Sequence, residues 1–142
     1  MKRIMCVIAL LSGALMAQEG RLANGVYAVE ESKAMARNPV VRQHEGKDLV
    51  LDAEGFVPLV VEGKPEVNRS ARGSELTVQL APEAARRLED LTRSHFNRPV
   101  AVVVGDKILS APTVRSVITD GKVRVTPCED KSCETLLREL SK

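Results

Sequence analysis

The side chains able to do chemistry in this 142-residue chain are few and scattered. His44 and His95 are its two histidines, and Ser110 stands directly before Ala111 and Pro112. Cys128 and Cys133 lie close together near the C-terminal end. A serine nucleophile needs a base within hydrogen-bond reach and a third group to orient that base. Nothing in the sequence supplies Ser110 with either, so it reads as a strand-end residue. His95 falls within the apolar arc of a helix and reads as a core or boundary residue. His44 lies in a polar connection and reads as solvated. Asp106 and Asp120 take turn positions, while Glu89 and Asp90 fall on the wet face of the helix. Zinc needs four ligands at a recognisable spacing, and the histidines and cysteines follow none. Four residues separate the two cysteines, so they do not form a C-x-x-C redox pair. No combination of these groups makes a catalytic constellation. The expectation is a chain without enzymatic activity, metal or cofactor.

The elements that must position these residues are clearest from residue 74 to residue 126. Glu75-Leu-Thr-Val-Gln-Leu80 alternates and puts Leu76, Val78 and Leu80 on one face of a strand. Pro82 suits the first position of a helix, where its missing N–H is not needed. At 100° per residue Ala84, Leu88, Leu91, Thr92 and His95 share one arc, with Ala85 and Phe96 on its shoulder. Arg86, Asp90, Arg93 and Ser94 lie opposite. Burial of Leu88, Leu91 and Phe96, at roughly 1.5–3 kcal/mol each, outweighs the Glu83–Arg87 and Glu89–Arg93 pairs at about 0.3 kcal/mol each. Val100 to Val104 is continuously apolar, the pattern of a central strand covered on both faces. Strand, helix and strand with short joins predict a parallel pair with a right-handed crossover. Gly105-Asp106 and Asp120-Gly121 predict two tight hairpins. Pro112 cannot donate to a ladder and marks an edge or bend. The fold class expected is α+β, a mixed sheet with one main covering helix and two hairpins.

Residues 1–17 are of different material. Lys2 and Arg3 give a basic start, residues 4–16 are apolar and uncharged, and Ala17 offers a small residue for cleavage. This is the pattern of a secretory signal peptide, too short for a membrane span of about 20 residues. Its removal takes 2 of the 21 basic residues and leaves 19 against 19 acidic ones. A neutral chain lacks the basic footprint of nucleic-acid binding. Its three aromatics, Tyr27, Phe56 and Phe96, also leave no stacking platform for single strands or sugars. In an oxidising compartment Cys128 and Cys133 read as a small disulfide, worth roughly 2 kcal/mol by chain entropy. It would join the loop after Val125 to a last helix over residues 132–140, with Leu136, Leu137 and Leu140 as its stripe.

Residues 18–73 carry weaker signals. Residues 25–29 form a strand, and 32–37 a short helix stopped before Pro39. Residues 48–52 and 56–61 read as two strands around Ala53-Glu54-Gly55, the second demoted to an edge by Pro58. Residues 62–73 are polar and read as a loop. The organisation expected is a signal peptide over 1–17, N-terminal strands and a variable loop over 18–73, a core over 74–127 and a C-terminal helix over 128–142.

One set of segments resembles a known family. Leu76-x-Val-x-Leu80, Ala85-x-x-Leu88-x-x-Leu91-Thr92, the run from Arg98 through Lys107-x-Leu109-Ser-Ala-Pro112, and Ile118-x-x-Gly121 are similar to the head part of the first periplasmic domain of SecD/SecDF, a membrane subunit of protein export. The likeness covers about 50 residues, and with gaps it reaches back to Phe56. This chain has Gly105-Asp106 where the family has Asp-Gly, and Thr126-Pro127 where the family tends to run into another glycine. The family's transmembrane helices and intramembrane acidic residues have no match here, so proton-driven export is not carried over. The resemblance implies an exported, free-standing, non-catalytic domain, periplasmic or secreted. Its implied partner is a protein or an extended polypeptide, with no nucleic acid and no membrane span once the signal is removed. Strand addition at a sheet edge suits that role, and Gly105, Asp106, Lys107, Ser110, Ala111, Pro112 and Arg115 are the expected contact residues. Pro112 is expected to leave backbone groups there unpaired. An accessory domain without a ligand and a small secreted enzyme are the alternatives.

Overall fold

The computed structural model describes residues 21–71 and 73–125, with 134, 137, 138 and 140. The strands are β1 (Gly25–Glu30), β2 (Pro39–His44), β3 (Lys47–Pro58), β4 (Glu66–Ser70), β5 (Gly73–Gln79), β6 (Val100–Val104), β7 (Lys107–Ser110) and β8 (Lys122–Val125). A 3-10 turn spans Lys33–Met35, and one helix, α1, spans Pro82–Ser94. The strands form a five-stranded sheet in the order β2-β3-β1-β6-β7 and a three-stranded sheet in the order β4-β5-β8. Every ladder between them is antiparallel. No helix among the described residues is long and apolar enough to cross a membrane.

The α+β class holds, but the mixed sheet and its parallel crossover do not form. A strand has two edges, and both edges of β6 are taken. β1 pairs along one edge from Gly25↔Val103 to Ala28↔Val100, and β7 along the other. β5 therefore joins β4 and β8. The sheets remain linked through the chain after β3, where Val61 bridges Leu80 and Glu62 N–H donates to Gln79 O at 2.7 Å.

Two apolar clusters lie on opposite faces of the larger sheet, and β6 feeds both. Val100, Val102 and Val104 join Leu76, Val78, Leu80, Ala84 and Leu88 under α1 and the smaller sheet. Ala101 and Val103 join Tyr27, Val29, Leu51 and Ile108 on the other face. This two-sided burial is why the strand tolerates no polar residue. Leu137 and Leu140, in helical conformation, pack against the first cluster. The remaining part of the expected 132–140 helix, the Cys128–Cys133 disulfide and the 1–17 signal lie outside the described residues.

The helix begins at Pro82 as expected and buries Ala84, Leu88 and Thr92, while Leu91 is half-buried. Phe96 is 48% exposed. The helical arc cannot be extended to it, because His95 caps the helix and Asn97 turns the chain with φ 64°. Its place in the aromatic inventory is taken by Phe56, whose ring stacks on Tyr27 at 4.8 Å. Glu89–Arg93 forms at 3.2 Å, whereas Arg87 Nη2 donates to Phe56 O at 2.6 Å rather than pairing with Glu83.

Residues 47–58 form one strand rather than two. The break read at Ala53-Glu54-Gly55 is an irregularity within it, because Val26↔Val57 and Ala28↔Asp52 leave extra residues on β3. Pro58 ends that strand opposite Gly25. Residues 66–70, read as loop, form β4 against β5. His44 lies at the end of β2 with its side chain only 18% exposed, not in a solvated connection. The Asp120-Gly121 hairpin is also absent: β8 pairs with β5, and Val117 and Ile118 belong to no strand. Gly121 (φ 69°) instead lets the chain pass α1, since a Cβ there would lie 2.6 Å from Ala85 Cβ.

Candidate functional site

The hairpin between β6 and β7 turns at Gly105 and Asp106, with φ of 61° and 65°. Positive φ at both central positions matches the right-handed twist of the flanking strands. Asp106 does more than turn. Its Oδ1 accepts the Leu22 N–H at 2.7 Å and Arg42 Nη2 at 2.9 Å. Gly105 N–H donates to Asn24 Oδ1 at 2.9 Å. Arg42 belongs to β2, the opposite edge of the sheet, so the sheet curls until its two edges meet at this turn.

Along β7, Lys107 is exposed and Ile108 is buried. Val103 faces Ile108 and Val102 faces Ser110, so one extra residue bulges the strand. Among the described residues the buried Ser110 hydroxyl has no hydrogen-bond partner, and no base lies against it. Ala111 packs against the second cluster. Pro112 does not leave its neighbours unpaired as expected. It lacks a donor but keeps its carbonyl, which accepts Val100 N–H at 3.0 Å. Val114 N–H then donates to Arg98 O at 2.9 Å, and Asn97 N–H to Val114 O at 2.8 Å. The bend is stitched to the approach of β6, with Arg115 exposed beyond it. The seven expected residues therefore do not converge. Gly105, Asp106 and Lys107 sit at one end of β7, Ser110, Ala111 and Pro112 at the other, across roughly 13 Å of strand at 3.3 Å per residue. The outer side of β7 is an edge with no ladder partner among the described residues.

A second cluster was not legible in the sequence. Glu30, at the end of β1 with its side chain 8% exposed, receives Arg98 Nη2 at 2.6 Å and lies 3.1 Å from His95 Nε2. Ser94 Oγ lies 3.0 Å from His95 Nδ1, which gives a Ser–His–Glu chain. Chemistry is opposed by its setting. Ser94 Oγ donates to Leu91 O at 3.1 Å, at the carbonyl-rich end of α1, where a developing oxyanion would be repelled. The cluster ties the end of α1 to β1 and to the approach of β6. Beside it a groove of about 580 Å³ is lined by Arg37, Asp52, Glu54, Arg87 and Asp90. Its charged groups are engaged internally: Asp52 accepts the N–H groups of Arg37, Asn38 and Glu54. Among the described residues no three His, Cys, Asp or Glu side chains are grouped to hold a metal ion.

The geometry defines an antiparallel α+β domain whose candidate groups are strung along a sheet edge. The chain belongs to the SecDF P1 head subdomain family, whose sequence profile matches residues 39–137. That match is wider than the stretch that carried the resemblance. The chain is 23% identical over 105 residues to the protein translocase subunit SecDF of Thermus thermophilus, covering 70% of this chain and 14% of that protein. It is 29% identical over 106 residues to the protein translocase subunit SecD of Acidaminococcus fermentans, covering 75% and 22%. A crystal structure of SecDF in a super-membrane-facing form superposes with a TM-score of 0.56 at 22% identity, over 89% of this chain and 19% of that one. A structure described as a membrane component SecDF that enhances protein export gives 0.54 at 15% identity, over 96% and 70%. At these identities the structural likeness concerns the fold. The chain spans less than a quarter of the length of the two curated relatives described.

Proposed function

We propose that this chain is a non-catalytic domain of the protein-export apparatus, on the extracytoplasmic side, that holds an extended polypeptide along the outer edge of β7, which has no ladder partner among the described residues. The contact surface comprises Gly105, Asp106, Lys107, Ser110, Ala111, Pro112 and Arg115. One observation carries the reading: β7 is an edge strand held rigidly at both ends. Asp106 fixes one end through Arg42 and Leu22. Pro112 and Val114 fix the other through β6 and its approach. Main-chain hydrogen bonding to such an edge gives sequence-tolerant affinity, which suits a partner that must handle many polypeptides. A preorganised edge also lowers the ordering cost of binding.

Photo-crosslinking tests the assignment. A benzophenone side chain replaces exposed Lys107, exposed Arg115 or, as a control, Arg86 on the exposed side of α1. The full chain is then irradiated with a reduced, unfolded secretory polypeptide. Capture from positions 107 and 115 but not 86 is expected. Equal capture at all three positions, or none at 107, refutes the edge.

A further inference from the structure

Outside the β7 edge the molecule holds an apolar cup of about 170 Å³, under α1 and behind the segment from Pro112 to Ile118. Its floor is buried and aliphatic: Val26, Leu88, Val100, Val102 and Val123. Its wall is fixed by Thr92, 1% exposed, whose Oγ1 donates to Leu88 O at 2.9 Å and accepts Ile118 N–H at 3.0 Å. Pro112, Val114 and Ile118 complete the wall, and four exposed polar or cationic residues also line the cup: Thr113, Arg115, Ser116 and Arg124. Neither arginine forms an ion pair among the described residues.

Size and charge together select an occupant. Pockets for drug-sized ligands run to about 300–1,000 Å³, so this cup takes one side chain. A floor without polar groups requires that side chain to be aliphatic. Arg115 and Arg124, without ion-pair partners among the described residues, and the hydroxyl-bearing Thr113 and Ser116 line the cup and complement a carboxylate bound beside it. We infer that the cup binds the free C-terminus of a polypeptide, with the last aliphatic side chain inside and the terminal carboxylate between Arg115 and Arg124. The site lies on the α1-covered side of the sheet and uses no β7 edge hydrogen bond; it shares Pro112 and Arg115 with the edge reading, and Lys107, which belongs to the edge alone, is the position whose capture separates the two.

The test is fluorescence anisotropy of the full chain with a labelled hexapeptide ending in Val-Leu. Saturable binding of the free acid is expected, with at least about tenfold loss for the C-terminal amide and for the peptide ending in Gly. Arg124→Gln and Arg115→Gln are surface changes that leave the floor intact, and each is expected to weaken the free acid by about fivefold or more. Crosslinking from position 107 should be unaffected by Arg124→Gln. Equal binding of acid and amide, unchanged affinity in both variants, or no saturation up to about 1 mM overturns the inference. Displacement of the peptide by decanoate at matching concentration would assign the cup to a fatty-acyl carboxylate, and peptide-dependent loss of self-association would assign it to a second copy. Either result also overturns it.

Discussion

Tyr27 is 1% exposed, and its hydroxyl donates to Ala23 O at 2.7 Å. Burial pushes its pKa up to about 12, and the charge of Asp106 acts in the same direction. A raised folded-state value means the neutral phenol is favoured in the native protein. That contribution is complete below pH 10, where the unfolded phenol is also neutral, and is lost as pH rises from about 10 to 12. The loss is at most about 3 kcal/mol. Urea midpoints should therefore fall across this interval in the wild type, and the fall should be smaller by that amount in Tyr27→Phe. A wild type and variant that decline in parallel would contradict it. Gly121 gives a sharper residue-level test. Alanine there must meet Ala85 Cβ at 2.6 Å with φ at 69°, so Gly121→Ala should lose about 1–3 kcal/mol in chemical denaturation. Retention of the wild-type midpoint would show that the chain does not pass α1 this closely. Glu30 shows the limit of reading residues one at a time. It is the first of two neighbouring acids, Glu30 and Glu31, at the end of β1, and its partners His95 and Arg98 are more than sixty residues away. No local pattern announces a contact of that separation.

Among elements, those with a strong period were legible and those that depend on distant pairing were not. Pro82 and the Ala84–Leu88–Thr92 spacing announce α1, and the unbroken run from Val100 to Val104 announces a two-sided strand. What the run does not say is which strands flank it. β1 takes one edge of β6, and this displaces β5 into another sheet. The partnership spans about 75 residues and is decided by competition for edges. The kinship survives that correction because it rests on local segments, which keep their identity whichever sheet they join. The glycine at 121 was read as a hairpin for a related reason: Asp-Gly is a turn signal whether the chain reverses onto itself or slides past a helix. Between these elements Thr92 joins α1 to the segment before β8. Thr92→Val keeps the shape but leaves the Ile118 N–H without its acceptor, at a cost of about 1–3 kcal/mol. Amide exchange at Ile118 should accelerate while that of Val103 changes only with global stability. Unchanged exchange at Ile118 would remove the link.

At the scale of the whole molecule, the five-stranded sheet ends in β2 and β7, and α1 covers one of its two faces. The stretch proposed as the contact surface, Gly105 through Arg115, is where turn and proline signals concentrate in the sequence. Its arrangement was not legible there, because an edge is a property of strand order. The pinning of the β7 edge by Arg42 and Leu22, residues far earlier in the chain, was equally hidden. Under the proposed function a polypeptide joins this edge as an added strand, apart from the cup under α1. The most direct measurement is amide hydrogen exchange of the full chain with and without a saturating unfolded polypeptide. Slowing of at least about tenfold at β7 amides from residues 107–110, with exposed α1 amides unchanged, is the predicted result. Unaltered β7 exchange alongside protection elsewhere would contradict the account.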